Sequence, residues 1–206
     1  MAQSYVPFLD SASATRNFHT NQRSNGSVTV EQYVQQTAEP YLSSYRTCTA
    51  TAISTATANS HLVQIMAGAS LRVGIRRIIV SQLANGTTQQ NQWEVRRLTT
   101  AGTGGTSLNV FSLDPADGAA GATAMTLPTV KGTEAGLVAV QSILTHATAA
   151  NIDLNPLVVF DWTTDRTKAL WIAAGTSNGV CLKNVTASVS TTVLITVEFI
   201  ESAEGA

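Results

Sequence analysis

The sequence predicts an all-β chain, an antiparallel β-sandwich of the jelly-roll type with an extended N-terminal arm. Thr and Ala are the commonest residues and Lys and Glu are scarce, which favours sheets over surface helices. From Tyr45 onward, short runs rich in Val, Ile and Thr alternate with stretches that contain Gly, Asn and Asp. No amphipathic stretch of ten or more residues separates these runs, as an α/β enzyme would require.

The composition indicates a folded domain with few surface charges. The 206 residues are 44% hydrophobic and 12% charged, and the formal net charge is -1. A near-neutral chain lacks the basic surface that direct nucleic-acid binding requires. No stretch approaches the roughly 18 apolar residues of a membrane span, and the first ten residues do not resemble a signal peptide. We therefore expect no nucleic-acid or membrane partner and a protein made in the cytoplasm.

Residues 1–42 differ from the rest, and we expect them to form an extended arm before a sandwich domain at 43–206. The helical signal in this region is a row at i, i+3, i+4 and i+7 from Val30 to Thr37, which Pro40 would end. The polar composition fits either a disordered tail or an arm that becomes ordered on another subunit. The arm is favoured by single, widely spaced aromatic residues, namely Tyr5, Phe8, Phe18, Tyr33 and Tyr41.

The last predicted strand is the clearest, because every second residue from Val193 to Phe199 is a large apolar one, and we expect it to be central in its sheet. The segment 71–83 changes its apolar face near Arg76 and Arg77, which predicts a β-bulge there. In chain order the predicted strands lie near 45–53, 61–67, 71–83, 91–99, 107–113, 136–146, 156–163, 169–174 and 188–201.

The segment 100–135 is far longer than an ordinary connection between strands, and on a rigid sandwich such a segment is typically a contact element. It includes Phe111, a candidate interface residue. Its glycines, at 102, 104 and 105, are not followed by the Lys-Ser or Lys-Thr pair of a phosphate loop. The sequence Asp-Pro-Ala-Asp-Gly at 114–118 lacks the late glutamate of a calcium loop. Both are interpreted as turns.

No catalytic constellation is predicted, and we expect a protein that is not an enzyme and uses no cofactor or metal. His19, His61 and His146 stand far apart without nearby ligands. Cys48 and Cys181 fit no ligand spacing, which predicts two small buried thiols.

An enzymatic alternative is glycoside hydrolysis by a pair chosen from Asp161, Asp165 and Glu198, although nothing in the sequence brings these carboxylates together. The three tryptophans are expected in the core. Exposed indole rings on one face would instead indicate carbohydrate binding, because sugar rings stack on aromatic planes. These tryptophans are Trp93, Trp162 and Trp171.

Five of the twelve basic residues lie on two consecutive predicted strands, where we expect them to form one sheet patch: Arg72, Arg76, Arg77, Arg96 and Arg97. One interpretation is a solvated strand face. The other is an interface that pairs with carboxylates of another protein, because guanidinium groups are weakly hydrated and bind carboxylates in a bidentate manner. The remaining candidate interface residues are aromatic, namely Tyr5, Phe8, Phe18 and Tyr33 in the arm and Phe111.

Four short segments stand out in the sandwich domain: VGIRRIIV at 73–80, WEVRRLT at 93–99, GGTS at 104–107 and LDPAD at 113–117. They resemble a group of small virion proteins of tailed bacteriophages and prophages, the head decoration or cement proteins. The resemblance covers residues 45–201 in layout and 71–124 in specific sequence. It implies a jelly-roll homotrimer on the outside of an expanded capsid, where it clasps adjacent copies of the major capsid protein. Such a protein is made in the host cytoplasm and becomes part of the virion.

The sequence therefore predicts a structural virion protein that binds the expanded phage head and stabilises it. Its contact elements would be the arm, the segment 100–135 and the arginine patch. The alternative is a tail- or fibre-associated β-sandwich that binds a receptor or a carbohydrate on the host surface.

Overall fold

A computed structural model describes residues 42–84, 88–145, 157–163, 169–187 and 191–203, together with the backbone of three strands nearer the N-terminus. Within those residues, all regular secondary structure is β-strand, and none forms a helix that could cross a membrane. The chain divides into two compact units, Met1–Tyr41 and Leu42–Ala206.

The first unit contains a three-stranded antiparallel sheet in the order β1-β2-β3, with β1 at Ser4–Leu9, β2 at Thr15–Gln22 and β3 at Val28–Glu31. The helical prediction is wrong at Val30, which pairs with Thr20 in this sheet. β-Branched residues favour extended backbone, and three of them lie at 28–30. The later positions of the predicted helical row lie outside the described residues.

The second unit carries thirteen further strands within the described ranges. Five precede the long segment that follows β8: β4 Ser44–Cys48, β5 Ile53–Ser54, β6 Ser60–Met66, β7 Leu71–Ala84 and β8 Gln89–Leu98. The other eight are β9 Thr106–Leu108, β10 Val110–Ser112, β11 Thr123–Thr126, β12 Glu134–Thr145, β13 Leu157–Asp161, β14 Leu170–Ile172, β15 Gly179–Asn184 and β16 Thr192–Ala203.

These strands form two antiparallel sheets, which we name after their central strands. The β16 sheet has the order β10-β4-β16-β7-β13, with β14 also on β7 and β5 on β16. The β15 sheet has the order β12-β8-β15-β6-β11-β9. The two sheets pack against each other over one apolar core, so the prediction of an antiparallel β-sandwich is confirmed.

Eight of the strands form antiparallel pairs that are nested in the chain order, from the outermost two strands to the innermost two. β4 pairs with β16, β6 with β15, β7 with β13, and β8 with β12, so that the first of the eight meets the last and the fourth meets the fifth. Two further pairings, β16 with β7 and β15 with β8, join these strand pairs into the two sheets. The chain therefore crosses between the sheets repeatedly, which brings distant segments side by side.

The inner faces of both sheets supply the core. Trp93 and Leu182 come from the β15 sheet, and Ile75, Ile195 and Phe199 come from the β16 sheet, all essentially without solvent exposure. Alternation along β16 buries every second residue from 193 to 199, as predicted, because successive side chains of a strand point to opposite faces. β16 is central in its sheet, which confirms that prediction as well.

The bulge predicted in β7 is present. Glu198 pairs with Arg77 and the next residue, Phe199, pairs with Ile75, so Arg76 is the extra residue. Ile78 follows Ile75 by three positions, so in a regular strand the two side chains would point to opposite faces. The bulge brings both onto the core side. It also turns Arg77 onto the outer face of the sheet.

The second half of the chain holds strands that the sequence did not predict. Within the segment 100–135, the strand predicted near 107–113 is present as β9 and β10, whereas β11 was not predicted; β9 and β11 lie at the edge of the β15 sheet and β10 lies at the edge of the β16 sheet. β15, the central strand of its own sheet, was not predicted. Its apolar run is only Val180 to Leu182, too short to separate from a loop by periodicity.

Candidate functional site

The five predicted interface arginines do not form one patch. Arg72, Arg76 and Arg77 lie on β7 in the β16 sheet, whereas Arg96 and Arg97 lie on β8 in the β15 sheet. Consecutive strands of a sandwich commonly belong to different sheets, so proximity in sequence did not mean proximity on one face. Four of the five lie in three separate environments, and Arg76 is exposed at the bulge of β7.

One environment is built around Trp171 on β14. The guanidinium of Arg72 lies over its indole ring, 4.0 Å from the centroid, in a cation–π contact. Arg97 crosses from the other sheet and donates from Nη1 to the Trp171 carbonyl, at 2.8 Å. The half-buried ring itself covers Gly74, where a Cβ would lie about 3.1 Å from the indole carbons. Of these contacts, the hydrogen bond from Arg97 ties the two sheets together.

A second environment is a row of alternating charges across the outer face of the β16 sheet. The strand register places Arg46 opposite Glu198, Glu198 opposite Arg77, and Arg77 opposite Asp161. We call these four residues the charge ladder. Phe111 extends the row by one strand, because it pairs with Arg46 at the edge of the sheet.

Ion pairs connect the ladder along its length. Arg46 Nη2 lies 2.5 Å from Glu198 Oε1, Arg77 Nη1 lies 3.9 Å from Glu198 Oε2, and Arg77 Nη2 lies 3.2 Å from Asp161 Oδ2. The side chains of Arg46 and Arg77 keep 45% and 37% of their surface exposed. The ladder is thus a flat, open row of charge whose signs alternate.

Asp161 is held firmly at the end of the ladder. Its Oδ1 accepts hydrogen bonds from the hydroxyl and the backbone N–H of Thr163, at 2.5 and 2.7 Å. These two bonds, together with Arg77, hold the pKa of the Asp161 carboxyl below its ordinary value. The carboxylate therefore stays ionised and oriented.

The rows beside the ladder are mostly uncharged. On one side, Thr196 pairs with both Cys48 and Ile79, and Ile79 pairs with Val159. On the other side lie Ile200 and the Trp171 ring over Gly74. An open sheet face with a charged row between apolar rows is the candidate functional site.

The third environment lies on the outer face of the β15 sheet and is more buried at its centre, where His61 and Lys183 keep 0% and 12% of their side-chain surface exposed. Glu134 is its centre: Oε1 lies 3.0 Å from His61 Nε2, Lys183 Nζ lies 3.0 Å from the carboxylate, and Arg96 Nε lies 3.2 Å from Oε2. Arg96 Nε also donates to Glu94 Oε2, at 2.6 Å. We call these five residues the Glu134 network.

Burial and hydrogen bonding together set the protonation states of His61 and Glu134 in the Glu134 network. Burial lowers the pKa of His61, and this outweighs the hydrogen bond and charge of Glu134, which favour the imidazolium. For Glu134 burial acts in the opposite direction, but the hydrogen bonds from His61 and Lys183 hold its pKa below the ordinary value. A neutral imidazole thus sits against an ionised carboxylate.

The segment between β8 and β12, residues 99–133, which we call the β8–β12 segment, lies over the outer face of β6 beside the network. Gln64 on β6 anchors it, accepting from the Gly102 N–H at 3.0 Å and donating to the Gly102 carbonyl at 3.2 Å. Lys131 Nζ donates to the Asn59 carbonyl at 3.1 Å. A Cβ at Gly105 would overlap the carbonyl oxygen of Thr126, so the segment folds closely on itself.

The other end of the β8–β12 segment is fixed to β16 and β4. The buried carboxylate of Glu201 accepts from the backbone N–H groups of Gly121 and Ala122, at 3.0 and 2.6 Å. Asp117 accepts from the Ser43 hydroxyl at 3.0 Å, and its own N–H donates to the Asp114 carbonyl at 3.0 Å. The Asp-Pro-Ala-Asp-Gly sequence is therefore a turn, as interpreted from the sequence.

The fixed segment presents apolar side chains to solvent. Phe111 is 60% exposed and Val130 is 64% exposed, and Leu113 and Leu127 are also exposed. A second exposed apolar group lies on the edge strand β12, at Leu137, Val140 and Leu144. Leu83 and Leu157 are exposed as well, and in a chain with so few charges such apolar side chains are available for contact.

The groups considered for catalysis have other partners. Asp161 and Glu198 do come together on one face, but both are paired with Arg77, and the lowered pKa of Asp161 is the opposite of what a general acid needs. His61 is fully buried within the Glu134 network. Asp165, His146 and the side chain of His19 lie outside what the structure describes. Among the described residues, no group of three His, Cys, Asp or Glu could hold a metal ion.

The prediction for the cysteines is half wrong. Cys181 is buried on the outer face of the β15 sheet, where burial raises the pKa of its thiol to about 12. Cys48 is exposed on the open face of the β16 sheet, because an outward position of β4 carries it. The thiols are unpaired, on separate sheets.

The prediction that all three tryptophans lie in the core is correct for one of them. Trp93 is buried in the core as expected, whereas Trp162 and Trp171 are half-buried at the β13–β14 side of the β16 sheet. Trp162 stacks on Phe160 with ring centroids 6.3 Å apart. The arm residues Tyr5, Phe8 and Phe18 lie on the backbone of β1 and β2; Tyr33 lies outside the described residues.

Sequence reasoning missed Arg46, which begins the charge ladder. Arg46 and Glu198 are 152 residues apart, and no local periodicity links them. An alternation of opposite charges at outward positions of predicted strands would have been the available signal. It could not be used without the strand order.

No model of a protein family matches the chain, and no curated protein or solved structure is significantly similar to it. The resemblance to phage head decoration proteins therefore stays a prediction from the residues alone.

Proposed function

We propose that this protein is a structural virion protein, a capsid decoration or cement protein that binds the outside of the expanded phage head and stabilises it. The observation that carries the proposal is the β8–β12 segment. It presents Phe111 and Val130 to solvent while backbone and side-chain hydrogen bonds fix it to both sheets. The occupant of this surface would be the major capsid protein.

The strand order supports the proposal at the level of architecture. Numbered from one to eight along the chain, the nested strands β4, β6, β7, β8, β12, β13, β15 and β16 give sheets in the orders 1-8-3-6 and 2-7-4-5. That is the order expected of a jelly roll, an architecture common in viral capsid proteins and in lectins. Fold alone does not assign function, so the weight rests on the contact surface.

Pre-organisation is the physical reason that the β8–β12 segment suits this task. A contact element that is already ordered loses little conformational entropy when it binds, and exposed aromatic and aliphatic side chains supply the favourable burial. Copies repeated over a capsid lattice would add avidity, because neighbouring contacts become intramolecular. A protein that binds the expanded lattice alone stabilises it by mass action.

Cosedimentation tests the proposal. The purified protein is mixed with expanded phage heads that lack it and, separately, with unexpanded proheads, and bound copies are counted per capsid subunit. We expect saturable binding to expanded heads at a simple ratio to the capsid protein. Absence of binding to both particles would overturn the head assignment.

A pair of matched variants tests the contact surface. Phe111→Ser combined with Val130→Ser removes two exposed apolar side chains and is expected to weaken head binding by at least about tenfold. Leu137→Ser combined with Leu144→Ser removes a similar exposed area from β12 and is expected to bind like the wild type. Equal loss in both variants would contradict the assignment of the β8–β12 segment. Thermal unfolding of each variant controls for stability.

A host-surface binding module of a tail or fibre is the second candidate. It is favoured by two half-buried indoles near the β13–β14 edge of the β16 sheet, Trp162, which packs against the core, and Trp171, which lies on the outer face. Binding of the isolated protein to host cells, abolished by Trp162→Ala, would favour this candidate. The Arg72 guanidinium already covers Trp171, which leaves Trp162 as the more informative position.

A further inference from the structure

We infer that the open face of the β16 sheet binds the same face of a second copy of this chain across a two-fold axis that runs along the strands. The charge ladder carries the inference. Its order across the sheet is Arg46, Glu198, Arg77, Asp161, so its signs are plus, minus, plus, minus. Such a row is self-complementary when it is reversed.

The two-fold axis produces that reversal. An axis parallel to the strands, between β16 and β7, places each strand of one copy over the strand at the mirrored position of the other. Arg46 then faces Asp161 of the second copy, and Glu198 faces Arg77 of the second copy. Every charge of the ladder meets one of opposite sign. An axis along the row would place Arg46 over Arg46, so the charges also select the orientation.

The uncharged row on one side of the ladder fits the same arrangement. A rotation about the strand direction superimposes each row on itself, so the row of Cys48, Thr196, Ile79 and Val159 meets the same row of the second copy. Uncharged side chains therefore meet uncharged ones. The strands of the two copies run nearly parallel to each other, which is the aligned geometry in which sheets commonly pack.

Pairing compensates the burial of the ladder. An isolated ion pair removed from water often costs more than its attraction returns. In the paired faces each charge has opposite charges beside it in its own chain and opposite it in the other copy. The arginines also have donors to spare, since a guanidinium carries five N–H groups and Arg46 uses one nitrogen toward Glu198.

The size of the face predicts weak association. Strand spacing of about 4.8 Å and a rise of about 3.4 Å per residue give the overlapping rows a patch of roughly 15 by 20 Å. This lies below the area of a typical stable interface. We expect a monomer–dimer equilibrium that is visible across the micromolar to millimolar range, and a stronger pairing where copies are held close together.

The inference is separate from the proposed function. Phe111 lies outside the overlap, because β10 has no counterpart beyond β13 in the mirrored order. The homotrimer that the resemblance implies would need a different surface, since a three-fold interface joins two unlike patches. A variant that cannot pair through the ladder but still binds expanded heads would leave the proposed function intact.

Charge complementation tests the two-fold pairing with the full chain. Arg46→Glu alone places a carboxylate against Asp161 of the second copy at both ends, and Asp161→Arg alone places two guanidinium groups together at both ends. Each variant alone is expected to associate at least about tenfold more weakly than the wild type in sedimentation velocity, because like charges face each other. An equal mixture of the two variants is expected to form a heterodimer about as strong as the wild-type dimer.

Controls separate pairing from folding. Lys131→Glu makes the same change in net charge as Arg46→Glu but lies on the β8–β12 segment, so its dimerisation is expected to match the wild type. If Asp161→Arg does not fold, the central pair of Arg77→Glu and Glu198→Arg gives the same complementation. A wild type that stays monomeric, a trimer insensitive to these variants, or a mixture that fails to recover association would each overturn the inference.

Discussion

The two outer faces of the sandwich use similar charged residues in opposite ways. On the β15 sheet, Glu134 gathers His61, Lys183 and Arg96. On the β16 sheet, Arg77 lies between Asp161 and Glu198 and remains open to solvent. The difference is the burial of the cationic partners, since His61 and Lys183 keep 0% and 12% of their side-chain surface exposed whereas Arg46 and Arg77 keep 45% and 37%. The more exposed charges are the ones available to another molecule.

The two cysteines give the largest expected contrast, because each reports on one face. Cys48 lies on the open face, and Cys181 is buried on the outer face of the β15 sheet with a thiol pKa of about 12. A rise of the pKa from 9.0 to about 12 reduces the thiolate fraction about a thousandfold. A thiol reagent followed by mass spectrometry should label Cys48 in the native protein and both cysteines after denaturation. Rapid native labelling of Cys181 would show that its thiol is not buried.

Glu134→Gln should have the largest effect on stability. It leaves the buried imidazole of His61 and the ammonium of Lys183 without their shared carboxylate. We expect a loss of about 2–4 kcal/mol in the free energy of unfolding, measured with denaturant. A loss under about 1 kcal/mol would mean that solvent already screens the network.

The pH dependence of stability should follow the same network. The folded pKa values of His61 and Glu134 both lie below their ordinary values of 6.5 and 4.5. The unfolded chain therefore takes up protons first, so stability is present above these values and falls as the pH falls. The decline is expected to begin near pH 6.5 with His61 and to steepen below pH 4.5 with Glu134. In His61→Gln the first part of the decline should be absent from thermal unfolding curves, and its persistence would assign it to other groups.

Glu198→Gln should have the smallest effect on stability and serves as the matched control for Glu134→Gln. Glu198 is as exposed as Glu134, at 20%, but its partners Arg46 and Arg77 keep 45% and 37% of their side-chain surface exposed, against 0% and 12% for His61 and Lys183. Exposed ion pairs contribute little, so we expect at most about 0.5 kcal/mol in denaturant unfolding. A loss as large as that of Glu134→Gln would erase the distinction between the two faces.

Local pattern sufficed for most strands and for the bulge at Arg76. Strict alternation from Val193 to Phe199 and the change of apolar face near Arg76 depend only on neighbours in sequence. The same reasoning failed for β15, whose short apolar run carries too few residues to show a period. It also failed for β11 in the β8–β12 segment, a four-residue strand that pairs with β6 and β9 at the edge of the β15 sheet.

The candidate site could likewise be predicted only in part, because residue types are visible in the sequence but strand order is not. The sequence identified Arg77 and Phe111 as interface residues by type, and weighed Asp161 and Glu198 as carboxylates. It could not place them in one row, because their order depends on which strands are neighbours. Arg96 was grouped with Arg77 for lack of that information, although the structure puts it in the Glu134 network.

By itself the sequence determined the all-β class, the positions of most strands and the side of each strand that faces the core, because these follow from composition and from a side-chain period of two residues. Only the tertiary structure decided which charges share a face and which of them are buried. Nested pairing joins β4 to β16 and β7 to β13 over long sequence separations, and the charge ladder exists only where those strands lie side by side.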